Sequence, residues 1–343
     1  MKLATDTKRA KKFSQTYEKQ HFTRGCSHSK NTTLDKLAQV GHPPHTLQPT
    51  KDNSLQKKAR HVYFSKRLAL GLSELDSPLH DQYLNTVTSC CTYGEQVGKK
   101  LKFKYCNARW CTTCNRIRTA KLINGYELPI KKMIEPYFVT LTRVNVIGNE
   151  LKNEIESINK LFSSIIKSIR RKGIVCNGIR KLECTYNDKN NDFHPHFHVI
   201  VDGYDLAKMM VDKWLQRCEE QNIKADKKAQ DIRKADELTT KELFKYTTKM
   251  VTKTKEDRAI YLPALDVIFQ SMYGKRTFQP FGNVRMVKED IEEIQSQEYD
   301  IEPVESAIYV WRGNDWFDML TSLPLSNYQP SISMNRLFEK MVT

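Results

Sequence analysis

Apolar residues along this chain change their spacing several times, and each change marks a different element. Leu151, Ile155, Ile158, Leu161, Phe162, Ile165, Ile166 and Ile169 recur at three- and four-residue intervals, which predicts an amphipathic helix over residues 149–171. Short β-branched and aromatic runs flank it. Tyr137-Phe138-Val139-Thr140-Leu141-Thr142 comes before, and a strand-like run over 178–186 comes after. A polar turn, Asn187-Asp188-Lys189-Asn190-Asn191-Asp192, then leads into Phe193-His194-Pro195-His196-Phe197-His198-Val199-Ile200-Val201. The order is strand, helix, strand, strand. Helical spacing recurs over 61–75, 206–221 and 239–251. Residues 1–58 are rich in Lys, Ser, Thr, Gln and Asn, with few periodic apolar positions, so a basic and largely disordered arm is expected there. The remainder divides into a helical, cysteine-bearing region over 59–130, a main domain over 131–285 and an extension over 286–343. That extension holds an acidic stretch, then Ile308-Tyr309-Val310-Trp311 and Trp316-Phe317, and is expected to form a small added subdomain.

The histidine run carries the first chemistry. In a strand, residues two apart face the same side, so His196 and His198 present two ring nitrogens to one point while Phe197 and Val199 face the core. Such a pair is half of a metal site. A lone strand histidine is more often a core residue satisfied by hydrogen bonds, but three histidines in five residues shift the balance toward a ligand role.

Composition narrows the partner. The 343 residues carry a formal charge of +16, which gains most against a polyanion such as nucleic acid; an anionic membrane surface is the weaker option. No apolar run approaches the roughly 20 residues of a bilayer span, and the first residues, Met1-Lys2-Leu3-Ala4-Thr5-Asp6, lack the apolar stretch of a signal peptide. A cytoplasmic protein with no membrane partner is expected. Nine clustered cysteines suit a reducing compartment and a metal site better than a disulfide framework.

Cys106, Cys111 and Cys114 have C-x4-C-x2-C spacing, and fourteen residues separate Cys91 from Cys106. A tight x2 turn brings two thiolates to one ion, and two further thiolates complete a tetrahedron suited to structural Zn²⁺. Cys90 competes with Cys91 for the fourth position, since spacing does not distinguish adjacent thiols; buried cysteines without a metal are the plainer alternative. Arg109, Arg116, Arg118 and Lys121 crowd this knuckle, as a solvated basic face or as phosphate contacts.

Glu242-Leu243-Phe244-Lys245-Tyr246-Thr247-Thr248-Lys249 lies in the helix expected over 239–251. Glu242 and Tyr246 share a helical face, with Lys249 one turn further on. Alone this is an ordinary solvated face. Beside a metal that polarises phosphate and cations that hold it, a phenol becomes a nucleophile.

Taken in order, the cysteine knuckle followed by Arg116, the Phe138–Thr142 strand, Glu183-Cys184-Thr185-Tyr186, His194-Pro195-His196-Phe197-His198 and Glu-x2-Lys-Tyr-x2-Lys from Glu242 to Lys249 resemble the HUH endonucleases. The closest likeness among them is to the single-tyrosine rolling-circle replication initiators of Gram-positive plasmids. The resemblance covers roughly residues 60–285. It implies an α+β fold, a ferredoxin-like antiparallel sheet (the HUH palm) with the histidines on a central strand and helices on one face, plus an N-terminal zinc knuckle. It implies site-specific nicking of one strand of plasmid origin DNA, supercoiled or as a single-stranded hairpin. His196 and His198 would hold Mg²⁺ or Mn²⁺, and Tyr246 would attack the phosphate, leaving a 5′-phosphotyrosine and a 3′-hydroxyl primer. Lys249 would favour the phenolate and Lys245 would contact DNA. Glu242 would activate water at termination, and a host helicase and DNA polymerase would act next. A third metal ligand is expected at Glu183, where related proteins often carry a carboxylate. His194 is its rival, as ligand, orienting residue or phosphate contact. A conjugative relaxase or single-strand transposase shares the histidine pair and tyrosine, and a non-catalytic zinc-containing DNA-binding repressor is the reading from another class.

Overall fold

The computed structural model describes residues 53–244, 249–253, 258–287, 296–299, 301 and 303–342. The fold is mixed α+β, built on antiparallel sheets. Its main sheet has five strands in the order β6-β3-β5-β4-β9, formed by Asp231–Lys234 (β6), Pro136–Thr142 (β3), Asp192–Asp202 (β5), Gly178–Asn187 (β4) and Phe278–Phe281 (β9). All four pairings in it are antiparallel, and the histidine strand β5 occupies the centre.

Alternation along β5 sorts its residues. Phe197, Val199 and Val201 are buried with Leu182 of β4 and Val139 and Leu141 of β3. Against them lies the stripe of α4 (Leu151–Arg171), all eight of whose apolar positions are buried. Met210 and Trp214 of α5 (Tyr204–Glu220) and Leu265 and Ile268 of α7 (Leu262–Met272) complete this layer. The helix expected over 149–171 is found two residues shorter, and that over 206–221 begins at Tyr204.

The other face of the sheet was expected to be free of helices. It is partly covered. Tyr126 and Ile130 of α3 (Thr112–Lys131), with Leu243 and Phe244, pack on Phe138, Ile179 and Ile200. The knuckle leads straight into α3, so the apolar residues of that helix have a sheet face to bury against.

A second five-stranded sheet, ordered β10-β2-β1-β11-β12, joins distant parts of the chain. Tyr93–Gly98 (β1) and Lys100–Phe103 (β2) form a hairpin, and Ser296–Glu298 (β10), Val304–Arg312 (β11) and Asp315–Asp318 (β12) add to it. The C-terminal extension is therefore not a separate subdomain. It completes the sheet of the cysteine region, with Trp311 and Trp316 buried beside Leu101, Phe103 and the cysteines. Beyond it, Ile332–Glu339 (α8) leads to Met341–Val342 (β13), which pairs in parallel with Arg258–Tyr261 (β8); Thr252–Lys253 (β7) flanks β8 on its other side.

The first described helix, α1 (Asn53–Ser73), starts before the boundary expected at residue 58, because Leu55, Ala59 and Val62 continue its buried face. His80–Ser89 (α2) follows. The helix expected over 239–251 is described only as α6 (Glu237–Leu243), and residues 249–251 are not helical. The β-branched Val251 and Thr252 disfavour its extension. No helix among the described residues is long and apolar enough to cross a membrane.

Candidate metal centres

Register across three strands builds the first centre. His196 on β5 lies opposite Thr142 on β3 and Glu183 on β4, and His198 lies opposite Thr140 and Lys181. All six share one face of the sheet. One ligand atom from each of Glu183, His196 and His198 lies within 4.8 Å of the others. The two Nε2 atoms are 3.2 Å apart, and His198 Nε2 is 3.7 Å from Glu183 Oε2.

Hydrogen bonds fix the ring nitrogens. His196 Nδ1 is 3.0 Å from the carbonyl oxygen of His194. A carbonyl only accepts, so Nδ1 carries the proton and the neutral ring presents a lone pair at Nε2. His198 Nδ1 pairs with the Thr140 hydroxyl at 3.3 Å. Burial pushes the His196 pKa down, with Glu183 partly opposing, and pushes that of His198 down to about 3, helped by the adjacent His196. Both rings are therefore neutral at pH 7, the form that binds a metal. For Glu183 burial works upward, but Lys181 foremost and His196 next outweigh it, and the carboxyl sits below its ordinary value. Two neutral imidazoles and a carboxylate are a donor set that suits a divalent cation with positions left open.

His194 is placed differently. Its Nε2 is 2.8 Å from the Thr142 hydroxyl and its Nδ1 is 2.7 Å from Asn145 Oδ1, so both nitrogens are engaged. Its ring lies against that of His196 with centroids 4.9 Å apart. The structure gathers Glu183 with the histidine pair and leaves His194 beside them as a neighbour that steadies His196.

Glu242 stands in α6, with its carboxylate 3.4 Å from the Arg233 guanidinium of β6. Lys249 is exposed, and its charge is felt at His196. Tyr246 and Lys245 lie outside the described residues. Sequence reasoning passed over Lys181, which is 1% exposed and whose ammonium is 2.9 Å from Glu183 Oε2. The signal was there: Lys181 and Glu183 sit two apart in one strand-like run.

The second centre is made of sulfur. Cys90 closes α2, Cys106 follows β2, Cys111 caps the N-terminus of α3 and Cys114 lies in its first turn. Their sulfurs lie within 4.8 Å of one another, with the Cys90–Cys111, Cys90–Cys114 and Cys106–Cys114 pairs each at 3.6 Å. Four sulfurs held at about 2.3 Å from one ion would stand about 3.8 Å apart, so the cluster is close to a closed zinc tetrahedron. The fourth sulfur is that of Cys90, and the expectation of Cys91 is corrected. Cys91 has φ of 51°, its amide donates to the Lys104 carbonyl and its own carbonyl accepts from the Trp316 indole at 2.7 Å. That backbone turn is what separates the two adjacent thiols.

Two ammonium groups that the sequence did not single out stand near these sulfurs. Lys66 is 4% exposed and donates to the Thr92 hydroxyl at 2.8 Å; Lys58 donates to the Tyr105 and Tyr299 hydroxyls. Burial lowers the pKa of both, and Cys90 and Cys91 raise it again. A divalent ion in four thiolates would carry a net charge of about −2, which the buried Lys66 and the half-buried Lys58 would offset.

The arginines expected to meet phosphate are used within the chain. Arg109 donates to the carbonyls of Met272 and Lys275, tying the knuckle to the end of α7. Arg118 donates to Asn115 Oδ1 at 2.6 Å and the Asn107 carbonyl at 2.9 Å, while Arg116 pairs with His61.

Comparison with known proteins places the histidine centre and three of the four clustered cysteines in one matched segment, with Cys90 just before it. Residues 98–204 match a family model described as a replication protein. That span takes in Cys106, Cys111, Cys114, Glu183, His196 and His198, and stops before Glu242 and Tyr246. The chain is 31% identical over 158 residues to "Protein rep" of Staphylococcus aureus, covering 43% of this chain and 66% of that protein. It is 28% identical over 141 residues to "Protein rep" of a Bacillus species, covering 38% and 46%. It is 24% identical over 192 residues to "Protein rep" of Streptococcus pneumoniae, covering 50% and 58%. The matched segments thus span from about half to just under two thirds of these relatives. No solved structure matches the chain.

Proposed function

We propose that this chain, which belongs to the replication protein family, initiates plasmid replication by cutting one strand of its origin and becoming joined to the 5′-phosphate at the cut. The observation that carries this reading is the Glu183, His196 and His198 group on one sheet face, with Tyr246 following later in the chain. Mg²⁺ or Mn²⁺ held by these three residues would polarise the scissile phosphate and offset the charge that develops on it.

The chain's own residues do the rest. The His194 carbonyl and the Thr140 hydroxyl hold the two rings so that Nε2 atoms converge. Tyr246 attacks phosphorus, forming the phenolic O–P bond as the P–O3′ bond breaks, and the 3′-hydroxyl departs as a primer for the host polymerase. A phenol with an ordinary pKa near 10 needs help to ionise at pH 7, and Lys249, three residues further along the chain, supplies positive charge. The phosphotyrosine conserves the energy of the phosphodiester, so the strand can be rejoined. At termination Glu242 takes a proton from water, which permits a second cleavage without a second tyrosine. The sulfur cluster offers no open position, and its role in this reading is to hold α3 over the sheet. The net charge of +16 supplies the general attraction to DNA.

The matched family model is described as a replication protein and the relatives named above are each called "Protein rep", which favours this reading over a relaxase or transposase. Its test is direct. Supercoiled DNA of the replicon that encodes the chain, incubated with the full chain and Mn²⁺, is expected to yield nicked circles, and none when EDTA is present. Binding without nicking would instead support the DNA-binding repressor.

A further inference from the structure

A lysine with almost no solvent exposure is costly unless its donors are engaged and its charge is met. Lys181 meets both conditions by reaching two parts of the fold at once. Its ammonium is 2.9 Å from Glu183 Oε2, on its own strand, and 3.4 Å from the backbone carbonyl oxygen of Glu242, in α6. One contact is with a member of the metal group. The other is with the helix whose C-terminal side runs into residues 245–248. Across β5 it also stands opposite His198.

We propose that Lys181 is a positioning residue for strand cleavage, an ammonium strap that ties Glu183 to the helix carrying Glu242 and so sets where the following tyrosine segment meets the two histidines. This deepens the proposed function and rests on it. Support of Glu183 alone would not require the second contact, since an ammonium beside a carboxylate can be met by water or a side chain. Nor does the lysine favour the cation. A positive charge this near the donor group repels a divalent ion, so its presence weakens metal binding. A residue that disfavours the metal yet is buried against its ligand has to be explained by what else it holds. A displacement of about 1 Å in a reacting group lowers rate by about 10²-fold, which is the scale expected if the strap is cut.

The test uses the full chain carrying Lys181→Met, similar in length but without the ammonium. Nicking of the supercoiled replicon under Mn²⁺ is expected to slow about 10²-fold, with KM for the DNA unchanged. Mn²⁺ affinity by titration calorimetry is expected to be equal or tighter, and amide exchange in Glu237–Leu243 to quicken in the metal-free protein. Loss of Mn²⁺ affinity in step with rate, or unchanged exchange in that helix, would reduce Lys181 to a support for Glu183 and overturn the inference. Should Lys181→Met fail to fold, Lys181→Arg decides by the same readings, because it keeps the charge but alters the reach; wild-type nicking and exchange in that variant would equally overturn it. Failure of the unmodified chain to nick would count against the proposed function instead, while the exchange reading on metal-free protein would still stand for or against the strap.

Discussion

Cys90 and Cys91 are neighbours of identical chemistry, and a single backbone turn gives them different surroundings. Cys90 ends a helix and points its sulfur at Cys111 and Cys114, whereas Cys91 turns through positive φ and is held by its backbone. Cys90→Ser is therefore expected to lose bound zinc and to melt at lower temperature, since structural zinc contributes directly to folding free energy. Cys91→Ser is expected to keep its zinc, as measured by elemental analysis of protein purified without chelator. Zinc lost from Cys91→Ser and kept by Cys90→Ser would reverse the assignment. The same contrast shows what was legible. His196 and His198 could be read from spacing because a strand's period of two is fixed. Glu183 came only with the resemblance, since nothing in its own spacing marks a ligand. The choice between Cys90 and Cys91 depends on where α2 stops, and the burial of Lys66 and Lys181 and the contacts of Lys58 depend on distant segments meeting. Neither leaves a periodic trace.

At the scale of elements, the strip of apolar residues in α4 was fully visible in the sequence, because every one of its eight positions faces one core. The role of α3 was not. Its arginines and lysine were read as a solvated basic face or as phosphate contacts, and its packing through Tyr126 and Ile130 on the histidine-bearing face of the sheet was not foreseen. Helix α6 carries the sharpest functional test, because in the proposed function nucleophile and general base serve different stages of one cycle. Glu242→Ala is expected to retain the first nick and the covalent adduct, which need no activated water. It should release unit-length circles about 10²–10⁴-fold more slowly, the usual cost of a missing base, and accumulate longer products in a replication extract. Loss of the first nick with zinc content and melting temperature intact would show that Glu242 acts on Tyr246 or on the metal instead.

For the whole molecule, the two ends of the described chain matter as much as the matched middle. The family match ends at residue 204, but β11 pairs with β1 and buries Trp311 and Trp316 beside the cysteines. Sequence reading placed these tryptophans in a subdomain of their own, since strand partners two hundred residues apart cannot be seen in local pattern. A chain ending at residue 287 is accordingly expected to bind less than one equivalent of zinc and to unfold at lower temperature; full zinc occupancy with unchanged melting would restore the separate subdomain. Through Arg109 and α3 the sulfur centre is joined to the sheet that carries the histidines, so in the proposed function both centres serve one task, the presentation of a phosphate to a tyrosine. The most direct measurement of that claim is the covalent intermediate itself. End-labelled origin DNA, incubated with Mn²⁺ and run on a denaturing protein gel, should give a labelled band at the size of the full chain when the label is 3′ of the cut. It should vanish with Tyr246→Phe while DNA binding persists. An adduct of undiminished yield from Tyr246→Phe, or nicking by the unmodified chain with no adduct at all, would contradict the account.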